Sequence, residues 1–382
     1  VELRTVLVVG VNTRPVVKSA GALGLQVLAV DRFRDLDLCA LATSVLPPPL
    51  SSPGERLNWR ELCSRALEEH EVDAVLYTSG VEHHPSLLRE LERRGLLRGN
   101  PADRVERTRR ELFSVASRLG IPFPPTEEAR SPEEAAERGE ELGYPVVLKP
   151  LMGGGGRRVL LARSRREAEE GFRLASSRGR VLVQRYLRGR NASASLLCGR
   201  GEATCLTVNE QLIGDSSLGA PGPFYYCGGV VPLEGRGVGR IAEYAEALGS
   251  ELGLVGSNGL DFVISEEGPA VVEVNPRFQG TLEQVEAVLG INLVEEHLRW
   301  CGGGGGRYGE PRGVAVKLVL YARRELRAPD LRRFPGAVDL PWKGQRIGRG
   351  QPVCSLLEFA PRREEAVEGA RREAERILKL LG

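Results

Sequence analysis

The sequence predicts two structural classes in succession, α/β over residues 1–103 and α+β beyond. Three observations predict this. Short apolar runs alternate with helical patterns through the first part of the chain, as in a parallel sheet covered by helices. An apolar run ending at Lys149 leads directly into Gly153-Gly-Gly-Gly156. Two strand-like runs, 259–264 and 270–275, flank the turn-like Glu266-Glu-Gly-Pro269.

Taken in order, residues 5–10 read as an apolar strand, 15–23 as a short helix, 26–31 as a second strand and 73–77 as a third. The first turn, Gly10-Val-Asn-Thr13, stands where a dinucleotide fold places its phosphate loop. It lacks GxGxxG, so no dinucleotide site is assigned there. A charged helix is expected over 104–119, stopped by Gly120 and a proline-rich stretch. Another is expected over 132–142, capped by Ser131 and closed by Gly143. A strand-rich region runs to residue 300, and the glycine run 301–306 reads as a mobile connection. The last segment, 312–382, carries strands at 314–321 and 353–359 and an amphipathic helix from about Glu364.

A net charge of +2, with acids and bases interspersed, argues against nucleic acid as the partner. No apolar run reaches the ~20 residues of a membrane span, and no signal-peptide pattern precedes the first strand. The seven cysteines include no CxxC pair, which argues against a zinc site. A cytoplasmic protein with reduced thiols is expected. Nearly all basic residues are arginine, so each of the five lysines stands out against that background.

The run Pro145-Val-Val-Leu-Lys149-Pro-Leu-Met-Gly153 to Leu161 predicts a hairpin with an overlong glycine tip. Glycines let backbone N–H groups converge on an anion, and Lys149 is placed to meet a phosphate oxygen. A flexible turn beside a surface lysine is the plainer alternative. The second hairpin gives a sharper expectation. With its turn centred near Glu267, Asp261 pairs with Glu273, and Leu260, Phe262, Ile264, Val272 and Val274 share the apolar face. Asp261, Glu273 and Asn275 then share the other face. Facing carboxylates repel unless a cation offsets them, and hard oxygen ligands point to Mg²⁺. A solvated polar face is the competing account. Arg277, two residues on, can clamp a phosphate or a carboxylate with its planar fork.

Weaker candidates remain. His83-His84 reads more readily as surface histidine than as a substrate contact. Asn209 and Gln211 either read a nucleotide or mark strand polarity. Lys317 reaches into a cleft or faces solvent, with solvent favoured.

In this order, the motifs resemble the ATP-grasp superfamily, in particular biotin carboxylase-related carboligases and an archaeal set of such proteins. The resemblance rests on Tyr-Pro-Val-Val-Leu-Lys149 with its glycines, Val183-Gln184-Arg-Tyr186-Leu187, and Asp261 with Glu273-Val-Asn275-Pro-Arg277. It implies an ATP-grasp fold with a Rossmann-like pre-ATP-grasp domain (1–103), a two-lobed ATP-grasp domain (104–300) hinged near 184–187, and a small C-terminal domain (301–382). It implies ATP and Mg²⁺, with Mn²⁺ as an alternative ion. Lys149 and Gly153, Gly154, Gly155 and Gly156 would hold phosphates, and Gln184, Arg185, Tyr186 and Leu187 the adenine. Asp261, Glu273 and Asn275 would ligate the metal, and Lys149 and Arg277 would act on the transferred phosphoryl group. Arg109 occupies the place of the family's first phosphate-binding lysine. The glutamate with which biotin carboxylases deprotonate bicarbonate would fall near Thr281, with Glu283 out of step. The implied activity is an ADP-forming carboxylate–amine ligase passing through an acyl phosphate. Its partners would be a small carboxylate and an amine-type acceptor, and homodimers are common in the family. A bicarbonate-using carboxylase or carbamoyl-phosphate-type enzyme, and a non-catalytic nucleotide-binding regulator, are the competing readings.

Overall fold

The computed structural model describes residues 3–47, 57–176 and 179–382. The first sheet is parallel, with strands ordered Ser44–Leu46, Gln26–Asp31, Thr5–Gly10, Ala74–Tyr77. Alternation along Thr5–Gly10 sends Leu7 and Val9 to one face and Val6 and Val8 to the other. The Val6/Val8 face packs on Phe278, Leu282 and Val285, which follow the acidic hairpin. The start of the chain is thereby seated against the segment that carries Arg277. The strand Ser44–Leu46 was not foreseen; at three residues it is too short to show a period.

A second sheet is antiparallel, in the order Thr126–Ala129, Val181–Arg185, Val146–Pro150, Leu160–Ala162. Helices Pro132–Leu142 and Arg165–Ala175 supply Ala135, Ala136, Ala168 and Phe172 to its apolar core. The first of these helices starts where Ser131 accepts the Glu134 N–H and stops at Gly143, whose φ of +78° suits glycine. The pairing of Val146–Pro150 with Leu160–Ala162 is the expected hairpin with the glycine tip.

The third sheet is antiparallel and has eight strands. Its order is Gly268–Asn275, Gly256–Ser265, Arg190–Gly199, Glu202–Ile213, Tyr226–Val231, Val314–Tyr321, Pro352–Ala360, Ala337–Val338. Residues 301–382 thus share a sheet with residues 190–275, because Val314–Tyr321 pairs with the edge of Tyr226–Val231. The terminal helix Arg363–Leu381 buries Ala366, Ala370, Ala374, Ile377 and Leu381, a single stripe at helical spacing. The glycine run after Cys301 folds back on its helix, with Gly303 and Gly304 donating to the Trp300 and Arg299 carbonyls.

One expected face is corrected. A bulge after Asp261 pairs Phe262 with Val271, so Val271 is buried and Val272 is not. The extra residue in one strand shifts the alternation, which sequence period alone does not reveal.

Candidate functional site

The acidic hairpin places Asp261 directly opposite Glu273, with Gly259 opposite Asn275. Asp261 Oδ2 accepts from Asn275 Nδ2 at 3.0 Å, and Oδ1 accepts from Gln211 Nε2 at 2.8 Å. Burial, then the Glu273 charge, pushes the Asp261 carboxyl up to about 7, against the opposing pull of Arg277, Asn275 and Gln211. Arg277 is fixed on three sides. Its Nε donates to Glu82 Oε1 at 3.0 Å, Nη2 to Asn275 Oδ1 at 2.9 Å and Nη1 to the Phe278 carbonyl at 3.0 Å. The Glu82 carboxyl is held below its ordinary range: burial works to raise it, and Arg277 and His83 outweigh burial.

Lys149 stands on the opposite side of its strand from Leu148, which lies in the core of the small sheet. It is half-buried. Burial lowers the pKa of its ammonium, while the charges of Glu273 and Asp261 pull the other way. The lysine at the base of the glycine loop and the acids of the hairpin therefore belong to one electrostatic set. Arg109 joins it: burial lowers its pKa, and Glu82 and Glu273 counter that.

The glycine loop is docked at both ends. Gly155 accepts from the Tyr226 N–H at 3.2 Å. A Cβ on Gly156 would lie 1.6 Å from the Phe224 carbonyl oxygen, and its φ is +74°, so only glycine fits there. At the other end His83 touches Gly153, its Nε2 lying 3.2 Å from the carbonyl and 3.3 Å from the nitrogen. Among the described residues, the Tyr226 hydroxyl is buried without a hydrogen-bond partner, and the Asp261 charge acts on it.

The segment 184–187 joins the two antiparallel sheets. Gln184 is buried, and its side chain donates to Thr126 Oγ1 at 2.8 Å. The Arg185 and Tyr186 N–H groups donate to the carbonyls of Pro125 and Pro145, which narrows the donors left for a base to Leu187. A cleft of about 340 Å³ opens beside this segment, lined among others by Gly189, Asn191, Glu210 and Gln211.

Several readings change. His83 is half-buried and bonded through both ring nitrogens rather than lying free on the surface. Lys317 is 4 % exposed and lies near Glu283 and Asp339, so it faces neither solvent nor the acidic hairpin. Asn209 is enclosed by Ser193, Ser195 and Thr207, whereas Gln211 reaches Asp261. Glu82 and Tyr226 were missed. A signal for Glu82 and His83 existed: they follow the C-terminal end of a parallel strand, where ligands of open α/β sheets gather.

A family model of the ATP-grasp domain matches residues 109–281, from Arg109 to Thr281. That stretch has the ATP-grasp fold. The chain as a whole shares its fold with several solved proteins. The biotin carboxylase domain of Hydrogenobacter thermophilus 2-oxoglutarate carboxylase, a dimer with MgADP and bicarbonate, aligns at a TM-score of 0.77 and 20% identity, over 98% of this chain and 90% of that one. The ADP complex of N5-carboxyaminoimidazole ribonucleotide synthetase aligns at 0.74 and 18%, over 97% and 96%. L-amino acid ligase from Bacillus licheniformis aligns at 0.73 and 18%, over 98% of each. In sequence, an uncharacterised protein of Methanocaldococcus jannaschii is 26% identical over 362 residues, covering 92% of this chain and 87% of that protein. The ATP-grasp match spans Lys149, the glycine loop and the acidic hairpin, but not Glu82 and His83, which reach it from the N-terminal sheet. No helix among the described residues is long and apolar enough to cross a membrane.

Proposed function

We propose that this protein is an ADP-forming, Mg·ATP-dependent ligase that joins a carboxylate to an amine or related nucleophile through an acyl phosphate. The observation that carries this reading is convergence. Lys149 from one sheet and Asp261, Glu273, Asn275 and Arg277 from another form one linked set of charges beside a docked glycine loop.

The donor set fits a divalent cation. Asp261 and Glu273 face each other, and the energetic cost visible in the raised Asp261 pKa is the kind that a bound cation relieves. Asn275 adds an amide oxygen. Bound Mg²⁺, or Mn²⁺ on the same oxygens, would supply charge neutralisation for the nucleotide phosphates. Lys149 and the amides of Gly153–156 would stabilise charge at the transferred group. Arg109 would add a planar fork to the same set of charges. Leu187 and the cleft lined by Asn191 and Gln211 would hold the nucleoside. Arg277 uses three of its five N–H groups internally, which leaves two for a substrate carboxylate or the transferred phosphoryl group. The docked loop would exclude water from the acyl phosphate.

The carboxylase reading is weaker on a specific observation. Thr281 Oγ1 lies 3.1 Å from Ser195 Oγ, and Glu283 is held by both terminal nitrogens of Arg14, so neither offers a free base to bicarbonate. Placement in the cytoplasm and homodimerisation are parts of this proposal, the latter by likeness to the dimeric carboxylase domain.

A screen of amino acids and other carboxylate–amine pairs for ADP release tests the reading. Lys149→Ala should lower turnover by about 10²–10³, the scale for losing one such stabilising group. An unchanged rate removes Lys149 from the chemistry. Bicarbonate-stimulated ATP cleavage would favour the carboxylase instead, and ATP binding without ADP release would favour a regulator.

A further inference from the structure

The strand Ala74–Tyr77 leads into a short 3₁₀ turn, Val81–His83, and consecutive residues of that turn grip two parts of the ATP-grasp domain. Glu82 holds Arg277. His83 bridges Arg109 and the glycine loop, with Nδ1 2.7 Å from Arg109 Nη2 and Nε2 3.2 Å from the Gly153 carbonyl. The chemistry assigns the tautomer. A guanidinium only donates, so Nδ1 must offer its lone pair; in the neutral ring Nε2 then carries the hydrogen and donates to Gly153. One imidazole therefore ties the loop tip to Arg109, the first residue of the matched segment.

We propose that His83 is a positioning residue, a latch that holds the glycine loop down and orients the Arg109 guanidinium together. What the latch serves rests on the nucleotide-site reading above; the latch itself is a set of contacts in the chain alone. Further anchors, Tyr226 N–H to Gly155 and the Arg158 guanidinium to the Leu174 carbonyl, do not titrate in this range. His83 does titrate. Protonation removes the acceptor that Arg109 needs and adds a cation among Arg109 and Arg277, with the Glu82 charge and the Gly153 backbone offsetting that cation. Burial, the largest effect, holds the His83 pKa below its ordinary 6.5, and Arg109 and Arg277 act in the same direction. The latch is thus closed at neutral pH and opens as pH falls through that lowered value.

Amide hydrogen exchange over residues 151–159, in the full nucleotide-free chain, tests this. Wild type, His83→Ala and His83→Gln are compared at about pH 7.5 and about pH 5.5, always at equal pH, so that intrinsic exchange cancels. At the higher pH, His83→Ala should exchange about tenfold faster than wild type. His83→Gln, whose amide can accept from Arg109 and donate to Gly153, should retain most of the protection. At the lower pH, wild type should lose protection relative to His83→Gln, which has no group to titrate there. Equal protection in wild type and His83→Ala, or a wild-type to glutamine ratio indifferent to pH, would overturn the latch. Calorimetry with Mg·ATP on the same proteins separates the two claims. A latched chain that binds no nucleotide sinks the nucleotide reading alone, and an unlatched chain that binds it sinks the latch alone.

Discussion

Replacing Asp261 with asparagine should make the metal-free protein progressively more stable, relative to wild type, as pH rises. The carboxyl is raised from 3.8 to about 7 by burial and by Glu273. A raised carboxylate works against folding wherever the unfolded chain has ionised and the folded one resists ionisation. Its cost is absent below the unfolded value, grows through the acid range and levels off above about 7, at roughly 4 kcal/mol by linkage. Asparagine removes that cost at every pH. It also turns one amide donor, from Gln211 or Asn275, toward an amide nitrogen, a pH-independent loss of about 1–3 kcal/mol. The offset makes the absolute difference a poor measure, so the slope is the quantity to read. Between about pH 5 and about pH 8 the stability difference should move by a few kcal/mol in favour of the variant. Urea denaturation with chelator present, at several pH values, measures this directly. A difference that is flat with pH, or that moves toward wild type, would mean the two carboxylates do not oppose each other. The electrostatic case for a cation between them would then fail.

Asp261→Asn combined with Glu273→Gln should abolish Mg²⁺-dependent nucleotide binding; calorimetry finding wild-type Mg·ATP affinity would reject the metal assignment. Gly156→Ala should undock the loop, because its Cβ would meet the Phe224 carbonyl at 1.6 Å from a backbone at φ +74°. Protease nicking near residue 156 would show it, and an unaltered digestion pattern would contradict the close approach. Arg14→Met should cost about 3–5 kcal/mol, since it leaves Glu283 and Asp339 buried without their main cation. Thermal denaturation measures that loss, and a neutral effect would mean Lys317 suffices for both acids.

Much of the site was legible because its parts are local. The Asp261–Glu273 pair was legible because both lie on one hairpin, although the structure reaches it by a tighter turn, Ser265 opposite Gly268, that the bulge offsets; alternation beyond the bulge then puts Asn275 on the same face. Lys149 and its glycines occupy one hairpin, so their neighbourhood is written in consecutive residues. The helix over 132–142 was fixed by its own cap and stop. The matched ATP-grasp segment begins and ends on residues that the same motifs had singled out, Arg109 and the stretch after Arg277.

Contacts between distant parts of the chain were decided only by tertiary structure. His83 and Gly153 lie 70 residues apart, and Glu82 and Arg277 lie 195 apart; no period or spacing relates them until the first sheet is seated on the segment after the hairpin. Lys317 shows the same limit, since an apolar strand announces a lysine without saying that Glu283 and Asp339 wait beneath it. The bulge that exchanges Val272 for Val271 is a third case, since an extra residue in one strand leaves no mark in the sequence period. The sequence by itself determined which groups share a strand face, because that is backbone geometry repeated residue by residue. Which faces meet was left to the packing of whole sheets, because burial rewards any apolar match and only the assembled core selects one.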